Sequence, residues 1–307
     1  MYERLKLMYD LLAEDGSIYV HCDWRVNGYM RLILDEIFGK DNFQNEIVWQ
    51  RFGAHNDGKK YGVVTDTIFY YSKSSSRIYS QQTEPYTEEY IKERFTMQDP
   101  DDRRFYPNVI TGKGSGPARI FRGVSLLPAK GRHWTYTQEG IDELEKQNGI
   151  YYTKEGTPCL KQYLDEYPGR PVQNLWADIF MTKSGSELLG YPTQKPEELL
   201  TRIIKTSTNE GDLVADFFVG SGTTASVAEK LNRTWIASDL GKFSVHTARK
   251  RLIGVQRELK KENKNFRAFE ILNVGRYERE NFLATNDDLR ADEKSKQAER
   301  KEKEFVK

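Results

Sequence analysis

The chain has 307 residues, 37% hydrophobic and 30% charged, which suits a soluble globular protein with one large α/β core or two smaller ones. No apolar run approaches a bilayer span and the opening MYERLKLMYD has no signal-peptide block, so the chain reads as cytoplasmic and neither membrane-spanning nor disordered. The formal net charge is only +1, so any affinity for nucleic acid must come from local charge.

Tyr2 to Ala13 carries Leu5, Met8, Leu11 and Leu12 at helical spacing, and Asp15-Gly16 ends it. A strand is predicted over Ser17 to Cys22, a helix over Val26 to Phe38, and short strands over Ile47 to Gln50 and Thr67 to Ser72. From Ser80 to Arg170 the alternation fades into Gly, Pro, Arg and aromatic residues, read as a mobile basic insertion. Between Arg103 and Gln138 there is no Asp or Glu, while Arg103, Arg104, Lys113, Arg119, Arg122, Lys130 and Arg132 all fall there. Gly112-Lys113 lacks the Ser or Thr and the upstream glycine that a phosphate loop needs.

Asn174 to Ile179 restores a strand, and Pro196 opens a helix running to about Thr206. Leu213 to Asp216 is a short buried strand, Gly220-Ser221-Gly222 a tight turn, Thr223 to Leu231 a helix, and Trp235 to Ala237 a second strand leading to Asp239. Phe243 to Leu259 reads as a helix and Phe266 to Leu272 as a last strand; from Asp287 the chain is almost wholly charged, a solvated helix or tail. Cys22 and Cys159 are isolated, and His21, His55, His133 and His246 show no ligand spacing, so neither a disulfide framework nor a metal site is expected.

The strand-turn-helix-strand unit reads as a nucleotide-type ligand site, against the alternative of a glycine turn that only connects a strand to a helix. Its glycines stand where backbone must approach a ligand, with helix N–H groups aimed at it. Gly220 to Ala225 satisfies the relaxed dinucleotide pattern G-x-G-x-x-G/A, with Asp239 as the ribose-binding acid, which keeps a nicotinamide-dependent oxidoreductase open. Against it stands Asp216, directly before Phe217-Phe218. A carboxylate there repels a pyrophosphate but suits the ammonium and sulfonium of S-adenosylmethionine.

Tyr191-Pro192-Thr193-Gln194-Lys195-Pro196 followed by Asp216-Phe217-Phe218-Val219-Gly220-Ser221-Gly222-Thr223-Thr224 resembles the cofactor half of the beta-group DNA amino-methyltransferases. These methylate adenine N6 or cytosine N4, site-specifically and commonly in restriction-modification. The resemblance implies a Rossmann-like α/β methyltransferase sheet with helices on both faces and an inserted recognition region. It also implies that the strands at Ser17 and Leu213 share one sheet. The implied organisation is a target-base half over 1–79, a recognition insertion over 80–173, a cofactor half over 174–273 and a charged tail over 274–307. The residues implied to hold S-adenosylmethionine are Thr193, Lys195, Asp216, Phe217, Phe218, Gly220, Ser221, Gly222, Thr223, Thr224 and Asp239, with Lys195 on the cofactor carboxylate.

Asp66 to Lys73 is similar to the strand whose aromatics, here Phe69, Tyr70 and Tyr71, wall a flipped-base pocket; the bland alternative is that Phe69 and Tyr71 are core. The seven basic residues of the insertion become phosphate or base contacts to double-stranded DNA. In the family a strand ending in Asp-Pro-Pro-aromatic precedes the segment that Leu5 to Asp23 resembles, and this sequence contains no Pro-Pro. The catalytic residues are therefore unassigned, and the chain is expected to be inactive without that segment. Adenine N6 is the expected target, with cytosine N4, or a non-catalytic DNA-binding subunit needing a partner chain, as alternatives. A second copy or a restriction subunit is the partner protein expected beside DNA.

Overall fold

In the computed structural model, residues 1–53, 59–167, 169–181, 185, 187–273, 295–297 and 299–301 are described. They divide into two units, Met1–Val255 and Gln256–Lys307. The chain opens with α1 (Tyr2–Leu11), β1 (Ser17–Cys22), α2 (Asn27–Phe38), β2 (Phe43–Gln50) and β3 (Thr65–Ser72). The insertion follows with β4 (Thr83–Glu84), α3 (Glu88–Arg94), β5 (Met97–Gln98), β6 (Arg104–Val109), β7 (Thr111–Lys113), β8 (Arg119–Phe121), β9 (Val124–Leu126) and β10 (Arg132–Trp134). It continues through α4 (Gln138–Lys146), β11 (Ile150–Tyr152), β12 (Pro158–Tyr163) and β13 (Arg170–Pro171). The last elements are β14 (Leu175–Trp176), α5 (Glu197–Ser207), β15 (Leu213–Asp216), α6 (Thr223–Lys230), β16 (Thr234–Ala237) and α7 (Lys242–Lys261).

The main sheet has the order β1-β3-β2-β14. β3 runs antiparallel to both β1 and β2, and β14 runs parallel to β2, so β1, β2 and β14 all point the same way. Their carboxyl ends and the start of β3 therefore share one edge, and Trp49 pairs with Asp66 there. Side chains alternate between faces along each strand. On one face Ile47, Trp49, Ile68, Tyr70 and Trp176 pack with Ile179 and with Leu199 of α5. On the other, Cys22, Phe69 and Tyr71 pack with Leu5 of α1 and with Leu34 and Phe38 of α2. β3 is covered on both sides, which is why its apolar run is nearly continuous.

β15 and β16 pair in parallel as a separate two-stranded sheet, with Asp216 opposite Ala237. Ile204 of α5 and Val227 and Ala228 of α6 cover one side of it. The expectation that the strands at Ser17 and Leu213 share one sheet is therefore corrected. β1 hydrogen-bonds only to β3 and β15 only to β16, and no strand among the described residues bridges them.

The insertion is not the mobile loop expected from its composition. Four strands, in the order β11-β12-β6-β5, make an antiparallel sheet, and Ile110, Phe121, Ile141 and Ile150 form a core of their own. Thr87 and Thr137 cap its two helices by accepting hydrogen bonds from the amides of Tyr90 and Gly140. Asp99, the residue before Pro100, is a structural group: it accepts hydrogen bonds from Lys161 Nζ (2.8 and 2.9 Å) and from Tyr163 Oη. The predicted strand over Phe266 to Leu272 is not formed. The segment carries no regular secondary structure, and Ile271 and Leu272 are exposed. His55 and most of the charged tail lie outside the described residues.

Candidate functional site

β15 delivers Asp216 to its carboxyl end, and the backbone then folds tightly to start α6 at Thr223. Asp216 Oδ1 accepts the Phe218 amide at 2.9 Å, and the Val219 amide donates to the Ser238 carbonyl at 3.0 Å, threading the turn to the chain after β16. Gly220 and Gly222 both have left-handed backbone, φ 49° and 79°. A Cβ on Gly222 would lie 2.8 Å from Ala248 Cα, so α7 requires glycine there as well. Asp239 binds across the turn: Oδ2 accepts from the Gly220 amide (3.0 Å) and Oδ1 from the Gly241 amide (2.8 Å). Each carboxylate oxygen keeps a lone pair for a further donor such as a ribose hydroxyl.

The aromatic walls are partly open. Phe218 and Phe243 are exposed, and Tyr191 stacks on Phe243 with ring centroids 5.7 Å apart while its hydroxyl meets Ser244 Oγ at 3.0 Å. Arg4 of α1 places its guanidinium 5.9 Å from the Phe218 ring, so the first helix borders this loop. Phe217 and Thr224 are half-buried, and Ser221 and Thr223 are buried.

The Thr193-Gln194-Lys195-Pro196 stretch leads into α5 with Pro196 at its N-cap. Gln194, which sequence reasoning did not single out, is buried; its Nε2 donates to the Glu187 carbonyl (2.6 Å) and its Oε1 accepts the Leu189 amide (2.9 Å). The signal for it was its place inside the motif. Thr193 is exposed and Lys195 half-buried. Thr223 Oγ1 donates to the Lys195 carbonyl at 3.2 Å, fastening the motif to the glycine turn. Burial pushes the Lys195 ammonium pKa down; the charges of Asp66 and Asp216 oppose that shift and Arg51 adds to it.

Below this motif Glu197 accepts from Arg251 Nη2 (2.9 Å), Ser226 Oγ (3.2 Å) and Lys230 Nζ (2.7 Å), and Arg251 Nη1 donates to Thr223 Oγ1 (2.9 Å). The network joins α5, α6 and α7 directly beneath the turn. Sequence reasoning missed it, since its partners are far apart in the chain.

Phe69, Tyr70 and Tyr71 are all buried, and the structure does not set them on one wall. Phe69 and Tyr71 face α1 and α2, where the Tyr71 hydroxyl donates to Asp35 at 2.6 Å. Tyr70 faces α5 and stacks on Tyr19 at 4.5 Å and 7°.

The seven basic residues of the insertion differ in their surroundings. Arg103 is paired with Asp165 and Glu166, and Arg104 donates to the carbonyls of Ile91 and Phe95. Arg122 lies 4.0 Å from the centroid of Tyr152, in the turn of the β8-β9 hairpin. Lys113, Lys130 and Arg132 gather on the β7-β10 ribbon, where Lys113 pairs with Arg132, Lys113 and Lys130 are exposed, and Arg132 donates to Thr111. Arg119, half-buried at the start of β8, has its Nε without a hydrogen-bond partner.

The structure thus brings together a carboxylate, a glycine turn opening a helix and a second acid bound across that turn. The family model described as DNA methylase, for adenine-N6 and cytosine-N4 methyltransferases, matches residues 1–250, and the chain belongs to that family, whose methyl donor is S-adenosylmethionine. It is 33% identical over 254 residues to the Type II methyltransferase M.EcaI of Enterobacter cloacae, covering 82% of this chain and 56% of that protein. To the StyLTI Mod subunit, a Type III restriction-modification protein of Salmonella typhimurium, it is 30% identical over 250 residues, covering 76% and 38%. The chain thus spans about half or less of the length of these relatives. Among solved structures the M1.HpyAVI complex with S-adenosylmethionine shares 18% identity over 82% of this chain and 81% of that one, at a TM-score of 0.44. Among the described residues no helix is long and apolar enough to cross a membrane.

Proposed function

We propose that this chain holds S-adenosylmethionine at the Asp216–Asp239 turn and double-stranded DNA along its insertion, serving methyl transfer to an exocyclic base amine in restriction-modification in the cytoplasm. The observation that carries the reading is Asp216 at the carboxyl end of β15, at the mouth of the turn, with Asp239 bound across that turn. This pattern suits a zwitterionic cofactor and opposes a pyrophosphate.

When bound, S-adenosylmethionine supplies an electrophilic methyl group. Asp216 pairs with the cofactor's cationic end, Asp239 takes the ribose hydroxyls, and the first N–H groups of α6 face the ligand. Phe217, Phe218, Gly220, Ser221, Gly222, Thr223, Thr224 and Thr193 shape the pocket by position and backbone approach. Tyr70, on the α5 face of the sheet, is the proposed aromatic of the target-base side, with Phe69 and Tyr71 supporting it from behind. Lys113, Arg119, Arg122, Lys130 and Arg132 are the proposed DNA contacts, while Arg103 and Arg104 brace the insertion. In this reading residues 1–79 serve the target base, 80–173 recognition and 174–273 the cofactor.

The sequence contains no Asp-Pro-Pro-aromatic tetrapeptide. Methyl transfer therefore needs that element joined to these residues or donated by a partner chain, and adenine N6 is the proposed target. The test is transfer of labelled methyl to duplex DNA with and without such a segment fused ahead of Met1, followed by nucleoside analysis. Label in N6-methyladenine only with the segment supports the reading. Label in N4-methylcytosine changes the base, and DNA binding without transfer in both forms favours a non-catalytic subunit.

A further inference from the structure

Three glycines of the insertion, Gly112, Gly114 and Gly116, surround one side chain. A Cβ on Gly112 would lie 2.8 Å from His133 Cε1, one on Gly114 3.2 Å from Nδ1 and one on Gly116 2.6 Å from Cβ. β7 and the chain leaving it are therefore bare backbone where the imidazole lies. The register places His133 of β10 opposite Gly112 of β7. Side chains alternate along β10, and its neighbour Trp134 packs on Phe121 and donates from Nε1 to the Leu126 carbonyl at 3.1 Å. His133 thus takes the other face of the ribbon, away from the core of the insertion. The ring is half-buried, and among the described residues neither of its nitrogens has a hydrogen-bond partner or is sealed from solvent. Around it the charge has one sign: Lys113 and Arg132 pair across the ribbon, Lys130 lies just before β10, and all three are exposed. No Asp or Glu falls between Arg103 and Gln138.

We propose that the β7-β10 ribbon enters the major groove of the DNA target with its His133 face toward the bases, and that a ring N–H of His133 donates to the N7 of a purine. His133 is then a specificity-determining residue. The major groove admits a two-stranded ribbon, and purine N7 is an acceptor exposed there. An imidazole always carries at least one N–H to donate. The glycines remove side chains that would hold this face off the groove floor, and they fix the ring against the strand before DNA arrives. Lys113, Lys130 and Arg132 meet phosphates at the groove walls, which position the ribbon without reading sequence. The inference rests on the DNA reading above and adds to it a residue placed to read a base.

The experiment selects bound duplexes from a random-sequence pool with the wild-type chain, with His133→Ala and with His133→Leu, which keeps side-chain bulk without an N–H. The selected duplex is then titrated with 7-deazapurine, in which C–H replaces N7, at each purine in turn. Both variants are expected to lose preference at one or two neighbouring positions and to keep the others. At one of those positions 7-deazapurine should weaken wild-type binding about three- to tenfold, as loss of one hydrogen bond does, and weaken the variants no further. Thermal melting at the wild-type midpoint shows which variants are folded. An unchanged motif in a folded variant, preference lost evenly at all positions, or a 7-deazapurine effect that persists in the variant overturns the assignment. Absence of any 7-deazapurine effect in the wild type overturns it without recourse to a variant. A wild-type chain that binds duplex without selecting a motif overturns base reading by the ribbon and leaves DNA binding intact. One that binds no duplex overturns the DNA reading and this inference with it.

Discussion

The Asp239 carboxylate accepts a hydrogen bond from the Gly220 amide at 3.0 Å, so the acid after the second strand fixes the turn after the first. The two motif elements act as one unit. Asp239→Ala frees the amides of Gly220 and Gly241 and removes the ribose acceptor, and should weaken S-adenosylmethionine at least about tenfold. Asp239→Asn keeps a carbonyl oxygen for one amide and should fall between; calorimetry on the two variants checks the order.

Gly222→Ala tests the turn from the other side. The new methyl meets Ala248 backbone at 2.8 Å on a residue whose φ is 79°, both unfavourable. The expected cost is about 2 kcal/mol or more, read as a lower denaturation midpoint, with a larger fall in cofactor affinity as α6 shifts.

The Glu197 network gives a pH prediction. Burial works to raise the Glu197 pKa, but the hydrogen bonds and charges of Lys230 and Arg251 outweigh it, and the pKa lies below the ordinary glutamate value. A carboxyl whose folded pKa is depressed contributes stability that is present above its unfolded pKa and lost as pH falls through the folded one. The wild type should therefore lose stability on acidification below the ordinary glutamate range more steeply than Glu197→Gln does. Glu197→Ala should cost about 2–3 kcal/mol near neutral pH, because Arg251 is left buried beside a missing partner. Thermal melts across pH check both.

In the insertion, two classes of cation should separate. Lys113→Ala and Lys130→Ala are expected to lower the slope of log affinity against log salt by about 1 each on duplex DNA, without changing the melting temperature. Arg104→Ala removes a guanidinium that holds the carbonyls of Ile91 and Phe95, and should lower the melting temperature instead. Loss of salt dependence in Arg104→Ala at unchanged stability would contradict the division.

The parts of this fold that were legible in the sequence are those set by local chemistry. Leu213 to Asp216 forms the strand expected of an apolar run ending in an acid, although Leu213 and Ala215 are exposed and not buried as expected, Pro196 caps α5, and the glycines of the turn take the left-handed backbone that favours glycine. What escaped depends on distant partners. Ile110, Phe121, Ile141 and Ile150 follow no single period, so the insertion read as loop although they meet in one core. Phe266 to Leu272 has apolar residues enough for a strand, and a strand also needs a pairing partner that the local sequence does not specify. Tyr70 and its neighbours are equally aromatic, and only the register of β3 between β1 and β2 shows which face each takes. Glu197 and Arg251 carry no local sign that they pair.

The central claim is a cofactor site for S-adenosylmethionine at the Asp216–Asp239 turn. Its most direct test is calorimetric titration of the chain with S-adenosylmethionine and, separately, with nicotinamide adenine dinucleotide. Saturable one-to-one binding of S-adenosylmethionine alone, lost in Asp239→Ala, is the predicted result. Binding of the dinucleotide, or of neither ligand by a chain that melts cooperatively, would contradict it.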